Sequence, residues 1–243
     1  MNLIKLSATP STNTYLRQML SETSLEDETV LWADAQIEGR GQQGAKWQSQ
    51  PGLSLTFSLF RRFNSFPARH PFYLNLAISL GVKQALEQLG VKQVSIKWPN
   101  DILSYSGKLC GILVENQIEK DRLASSIIGI GLNVNETDFK GLPRATSMRL
   151  VSGQKFDREE VLFTVAKGVF EVIRQLDKHT LVAMQTTYQE SLFRINVVST
   201  FENNNGRAFS AIIRGVSEDG KLLVEDESGK LSPYQPKELT LKY

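Results

Sequence analysis

The sequence predicts an α+β main domain followed by a small all-β module. Three observations carry this. Apolar residues change repeatedly between two-residue and helical spacing, without a strict βαβ alternation. Three strand candidates follow one another in the middle of the chain with no helix between them. After about Phe193 the texture turns to short apolar runs divided by turn signals, which indicates a small barrel of roughly 50 residues. We place the division of the 243 residues at 1–192 and 193–243.

Taken in order, Pro10-Ser11-Thr12-Asn13 offers several N-caps, and Tyr15, Leu16, Met19 and Leu20 follow at helical spacing. Thr29 to Ala35 reads as a strand. Leu53, Leu55, Phe57 and Leu59 alternate with Ser54, Thr56 and Ser58, the period of a half-buried strand. From Pro71, an apolar stripe through Leu74, Ala77, Ile78, Gly81, Ala85 and Leu89 makes a helix that Gly90 stops. Strands are expected at Val94–Trp98, Lys108–Asn116 and Ser126–Asn133, the last two joined by a hairpin through Glu119-Lys120-Asp121-Arg122. Asp157 with Glu160 forms a capping box that opens a helix to Leu176, and Leu181, Met184, Tyr188 and Leu192 mark another. In the tail, Asn203–Gly206, Glu218–Gly220 and Glu227–Gly229 divide the strands.

Composition excludes several classes. With 41% hydrophobic and 22% charged residues and a formal charge of +2, the chain is neither disordered nor basic enough for a protein that lives on nucleic acid. One cysteine, Cys110, forms no internal disulfide and reads as a small buried hydrophobe. Two histidines, His70 and His179, make a multi-ligand zinc site improbable. No run approaches the roughly 18 apolar residues of a membrane span. The start lacks the pattern of a signal peptide, so the expected compartment is a reducing cytoplasm.

Two clusters carry chemistry. Gly39-Arg40-Gly41-Gln42-Gln43-Gly44 satisfies G-x-G-x-x-G after a strand, but no helix follows to bind a pyrophosphate, and no Gly-Lys-Ser/Thr closes it. It is neither a dinucleotide fingerprint nor a Walker loop. Its glycines let the backbone curl around an anion, Arg40 adds a cationic fork and Trp47 a flat face; a plain surface turn is the alternative. In Lys97-Trp98-Pro99-Asn100-Asp101, a strand ends at Lys97-Trp98 and a turn begins at Asn100-Asp101. Lys97 is either a solvated strand-end residue or the holder of an anionic group. Gly111, Gly129 and Gly131 interrupt good strands, marking close approach of a ligand or another backbone, or a bulge. Ser11-Thr12-Asn13, taken alone, reads first as simple helix capping.

In order and spacing, these segments, with Gln36, Lys108-Leu109 and Gly129-Ile130-Gly131-Leu132-Asn133, resemble the biotin protein ligase family from about Leu6 to the tail. The resemblance implies a core like that of class II aminoacyl-tRNA synthetases, a mixed sheet flanked by helices, with a C-terminal SH3-like barrel. It implies a reaction in which ATP and biotin give biotinyl-5′-adenylate, which then modifies a lysine of the biotin carboxyl carrier protein of acetyl-CoA carboxylase. By the same resemblance Lys97 and Arg40 are catalytic, with Mg²⁺ on the ATP phosphates and no protein metal ligand assigned. Biotin is expected on Ser11, Thr12, Asn13, Gln36, Gly39, Arg40, Gly41, Gln42, Lys97, Gly111, Gly129 and Gly131. The nucleotide is expected on Arg40, Trp47, Asn100 and Asn133, with Asp101 orienting Lys97 or a metal-bound water.

Two departures from the family pattern stand out. Some members carry an N-terminal winged helix-turn-helix, whereas this chain begins almost at Ser11, so a ligase without a DNA-binding role is expected. Many members have a second arginine where this chain has Gln42, and a neutral amide holds a phosphate less firmly. Dimerisation is left open. The alternatives are a lipoate or octanoate ligase, which the polar Ser11-Thr12-Asn13 set disfavours, and a non-catalytic biotin sensor, which the presence of both Lys97 and Arg40 disfavours.

Overall fold

The computed structural model describes residues 1–67, 71–176 and 181–243; both histidines lie outside the described residues. The first half runs β1 (Asn2–Thr9), α1 (Thr12–Glu22), β2 (Thr29–Gln36), β3 (Leu55–Pro67) and α2 (Pro71–Gln88). Four strands follow: β4 (Val94–Lys97), β5 (Asp101–Ser104), β6 (Gly107–Glu119) and β7 (Arg122–Leu132). Three helices come next, α3 (Met148–Ser152), α4 (Arg158–Leu176) and α5 (Leu181–Glu190). The tail holds β8 (Val198–Asn203), β9 (Ala208–Val216), β10 (Leu222–Asp226), β11 (Leu231–Tyr234) and β12 (Leu239–Lys242).

The first seven strands form one mixed sheet, ordered β1-β2-β3-β7-β6-β5-β4. Only β1 and β2 pair in parallel; every other neighbour is antiparallel. The last five strands form a separate antiparallel sheet, ordered β11-β10-β9-β8-β12. The α+β expectation with an all-β tail therefore holds. Among the described residues no helix is long and apolar enough to cross a membrane.

Local chemistry accounts for the elements. Lys120 and Asp121 have φ of 48° and 61°, the left-handed pair that a tight two-residue hairpin between twisted strands requires. The Glu160 amide donates to Asp157 Oδ1 at 2.9 Å, capping α4. Helices α2 and α4 cross so closely that a Cβ on Gly81 would lie 2.7 Å from Val169 Cα, which explains a glycine inside a buried helix. Leu74, Ile78 and Phe170 belong to the same apolar cluster as Phe201, Ile213 and Val224 of the tail, so the two sheets share one core.

Three elements were not anticipated. β1 carries Leu3, Ile4 and Leu6 without a clean alternation and is held by parallel pairing with β2, a partner that only the tertiary fold supplies. α3 spans five residues, too short for a periodic signal. At Lys97 the reading needs correction: the turn is residues 98–100, and Asp101 already opens β5, paired directly across from Lys97. A three-residue 3-10 turn, Gln42–Gly44, also sits in the glycine loop.

Candidate active site

A cavity of about 240 Å³ opens where the start of α1, the end of β2, the glycine loop and strands β4–β7 meet. One side is neutral. Ser11 is the N-cap of α1, yet its side chain makes no capping bond, so capping does not account for it. The Thr12 amide donates to Gln36 Oε1 at 2.9 Å, and Thr12 Oγ1 lies 3.2 Å from that same oxygen. Ser58, wholly buried on β3, brings its hydroxyl to 2.7 Å from Thr12 Oγ1 and 2.6 Å from Asn13 Oδ1. Asn13 Nδ2 donates to Glu115 Oε2 at 2.8 Å, and the other oxygen of Glu115 pairs with Arg17.

The other side is charged. Lys97 Nζ lies 3.7 Å from Asp101 Oδ2, and Lys108 Nζ lies 2.7 Å from Asp101 Oδ1, so one carboxylate spans two ammonium groups. Burial pushes the Lys97 pKa down; Asp101 opposes this, while Lys108 and Arg144 add to it. Asn100 ties the turn to β6: its Nδ2 donates to the Ile112 carbonyl at 2.7 Å and its own carbonyl accepts from Ile112 at 3.0 Å. The Tyr243 ring lies 4.6 Å from the Arg144 guanidinium carbon and 5.9 Å from Lys97 Nζ.

The glycine loop closes on itself as a miniature hairpin. The Gly41 amide donates to the Ala45 carbonyl at 2.7 Å, and the Trp47 amide to the Gly39 carbonyl at 2.9 Å. Arg40, Gly41 and Gln42 line the cavity, and the exposed Arg40 guanidinium donates to Thr14 of α1 at its mouth. Gly39 does not line it. A Cβ on Gly39 would lie 2.4 Å from the Trp47 carbonyl and 2.8 Å from Gln36 Nε2, so its role is to let these approach.

Trp47 folds back over the sheet. Gly111 and Gly131 pair across β6 and β7, making a side-chain-free notch on which the indole lies. A Cβ on Gly131 would sit 2.3 Å from the ring, and one on Gly111 2.9 Å from it. On Gly129, a Cβ would meet Asn13 Oδ1 at 2.5 Å. The three glycines thus border the cavity while seating two of the chain's own side chains, and so do more than clear a slot for an acyl chain.

Beyond the indole lies a second cavity of about 310 Å³, lined among others by Trp47, Lys108, Asn133, Leu142 and Arg144. Asn133 is thus brought next to the first cavity rather than into it. Its Nδ2 is engaged by the Thr146 carbonyl at 2.9 Å, which leaves Oδ1 for any ligand.

Sequence reasoning assigned no role to four contributors. Lys108 entered only with Leu109 as part of the resemblance, because its pairing with Asp101 depends on β5 folding against β6. Ser58 looks like any outward residue of an alternating strand, and Glu115 like a solvated strand end. Lys237, which lines the cavity from the turn before β12, carries no local signal at all. Among the described residues no group of three or more His, Cys, Asp or Glu side chains could hold a metal ion.

Comparison with known proteins locates this arrangement. The profile described as "Biotin/lipoate A/B protein ligase family" matches residues 6–133. The bifunctional ligase/repressor BirA of Bacillus spizizenii is 33% identical over 214 residues, 86% of this chain and 65% of that protein. The chain thus spans about two thirds of that relative's length. A biotin–[acetyl-CoA-carboxylase] ligase of Mycobacterium tuberculosis is 26% identical over 223 residues, 90% of this chain and 82% of that protein. Among solved structures, a biotin protein ligase from Aquifex aeolicus in complex with biotin and ATP superposes with a TM-score of 0.80. It is 30% identical, over 99% of this chain and 98% of that one.

Proposed function

We infer that this chain, which belongs to the biotin/lipoate A/B protein ligase family, joins biotin to AMP at the expense of ATP and passes the biotinyl group to a lysine of a carrier protein. The observation that carries this reading is the polarity of the cavity, two lysines on one carboxylate at one end and a neutral hydrogen-bonded floor at the other. Biotin has that polarity reversed: a carboxylate at one end, and a neutral urea with donors and an acceptor at the other.

Adenylation brings a carboxylate up to a phosphate, and two anions repel. Fixed positive charge at the point of attack lowers the barrier most, because it needs no reorganisation as charge develops. Lys97 and Lys108 supply it, and Asp101 holds both ammonium groups in place. Arg40, at the mouth, meets the phosphates. Ser11, Thr12, Asn13 and Gln36 take the urea. Trp47 and Asn133 face the second cavity, which has room for an adenine, so the indole stands between the two substrates. The nucleotide's phosphates would hold a magnesium ion, which would offset their charge; the described carboxylates offer no cluster of their own for it. The glycine loop and Trp47 shield the mixed anhydride from water until a carrier lysine arrives.

The carrier is taken to be that of acetyl-CoA carboxylase, which the name of the Mycobacterium relative specifies for that enzyme. A single buried free thiol, Cys110, is in keeping with a reducing cytoplasm. The decisive experiment is biotin-dependent exchange of labelled pyrophosphate into ATP. Exchange with biotin and none with lipoate supports the reading. Exchange with lipoate alone replaces it, and binding of biotin without any exchange makes the chain a sensor.

A further inference from the structure

We propose that Glu115 and Ser58 are positioning residues that fix the direction of hydrogen bonding across the cavity floor, so that Thr12 meets the ligand as an acceptor. The inference rests on the biotin reading above and goes beyond it, since neither residue is among those expected to touch the ligand.

The argument is a count of protons. The Asn13 Nδ2 group faces Glu115 Oε2 at 2.8 Å and the Leu113 carbonyl at 3.4 Å, both of which only accept when the carboxylate is ionised. The nitrogen must therefore be on that side, and Oδ1 must face Ser58. Asn13 Oδ1 cannot donate, so at 2.6 Å Ser58 gives it its one proton. Ser58 then has none left for Thr12, and their 2.7 Å contact needs Thr12 to donate. The proton of Thr12 is now spent as well. Gln36 Oε1 is satisfied by the Thr12 amide at 2.9 Å instead.

A relay thus runs from Thr12 through Ser58 and Asn13 to Glu115, every member donating towards the carboxylate. What remains for the cavity is a lone pair on Thr12 Oγ1 and the amide nitrogen of Gln36, an acceptor beside a donor. One edge of a urea, an N–H beside a C=O, is the complement. A dithiolane ring offers neither.

The charge on Glu115 does most to make the direction single-valued, since its contact with Asn13 is 2.8 Å against 3.4 Å for the Leu113 carbonyl. With a neutral amide in its place the partner can donate or accept, the Asn13 amide can turn over, and Ser58 can turn its proton to Thr12. The Thr12 proton would then be free to turn to Gln36 Oε1 at 3.2 Å or to the ligand, so Thr12 is no longer held as an acceptor. Thr12, Asn13 and Ser58 are 3%, 2% and 0% exposed, so water does not restore the pattern.

The test measures binding of biotin, of biotin methylated on one ureido nitrogen and of lipoate to the native chain, Glu115→Gln and Ser58→Ala. It is paired with KM values for biotin and ATP. In the native chain the methylated compound, one donor short, binds more weakly than biotin. In both variants the KM for biotin rises about ten-fold, the worth of one well-made hydrogen bond to a charged network. The methylated compound loses less, so the discrimination between the two ligands shrinks. The KM for ATP stays put.

If the native chain discriminates and both variants discriminate equally well, the relay is wrong while the biotin reading stands. A shift of the ATP KM in step with that for biotin makes the two residues merely structural and also overturns it. Binding of lipoate and not biotin by the native chain fells the biotin reading itself, and the relay with it. Should Ser58→Ala not fold, Glu115→Gln at the partly exposed edge of the network decides alone.

Discussion

At one end of the cavity Lys97 and Lys108, on two short-looped strands, lie 3.7 and 2.7 Å from the Asp101 carboxylate on a third; at the other, uncharged groups from α1, β2 and β3 touch at 2.6 to 3.2 Å. The two ends solve different problems. Attraction between charges falls off slowly with distance, so a lysine works from several nearby positions and one carboxylate suffices to hold it. A hydrogen bond depends on angle and on who owns the proton, so the neutral end needs a second layer behind it. On the proposed reading the charged end therefore acts mainly on rate, and the neutral end mainly on which molecule is bound.

Breaking the charged end has the largest expected effect. Lys97→Ala lowers biotin-dependent pyrophosphate exchange by about 10²–10³-fold, the usual loss for one electrostatic stabiliser, while biotin binding changes far less. Near-normal exchange in this variant removes Lys97 from the chemistry. Breaking the neutral end reverses the split. Gly129→Ala places a methyl 2.5 Å from Asn13 Oδ1. It raises the KM for biotin about ten-fold with kcat little changed, as a local clash of 1–3 kcal/mol would. An equal fall in kcat denies that the two ends act separately.

The acidity of Lys97 sharpens the comparison further. Burial disfavours its ammonium, so its proton leaves below the ordinary lysine value of 10.5. Exchange therefore declines on the alkaline side at a pH below that value, and Lys97→Arg, where active, carries the decline upward. An unmoved alkaline limb means that another group sets it. For stability the sign is opposite. Between the lowered pKa and 10.5 the unfolded chain binds more protons, so the penalty for burying Lys97 fades as pH rises. The smallest effect is at the mouth. Gln42→Arg restores a charge-assisted contact to phosphate and slows release of the adenylate by a few-fold. Equal release rates from the two forms count against that contact.

Most of the fold was legible because its signals are local. The strand through Leu55, Phe57 and Leu59, which begins two residues later than expected and is buried on both faces rather than one, the Asp157–Glu160 cap and the Lys120-Asp121 turn each arise from neighbours in the chain. β1 and β5 were not legible, since a strand of four residues, or one held by a parallel partner, owes its existence to pairing. The site divides in the same way. Ser11, Lys97 and the glycine loop stand out by composition, whereas Lys108, Ser58 and Glu115 acquire their meaning only from strands that register brings alongside. Trp47 was legible as a flat face, but not its seat across Gly111 and Gly131.

The strand that bears Lys97 lies at the edge of its sheet, but its outer side is not free. The Ile96 amide donates to the Ser191 carbonyl at 2.8 Å, the Phe193 amide returns to the Ile96 carbonyl at 2.8 Å, and the Trp98 indole reaches Gly220 at 2.9 Å. The Lys97 ammonium is thereby moored to the stretch that leads into the tail and to the tail itself. Loosening the last five strands would slacken that mooring and let the charge drift off station, with every residue around it still in place.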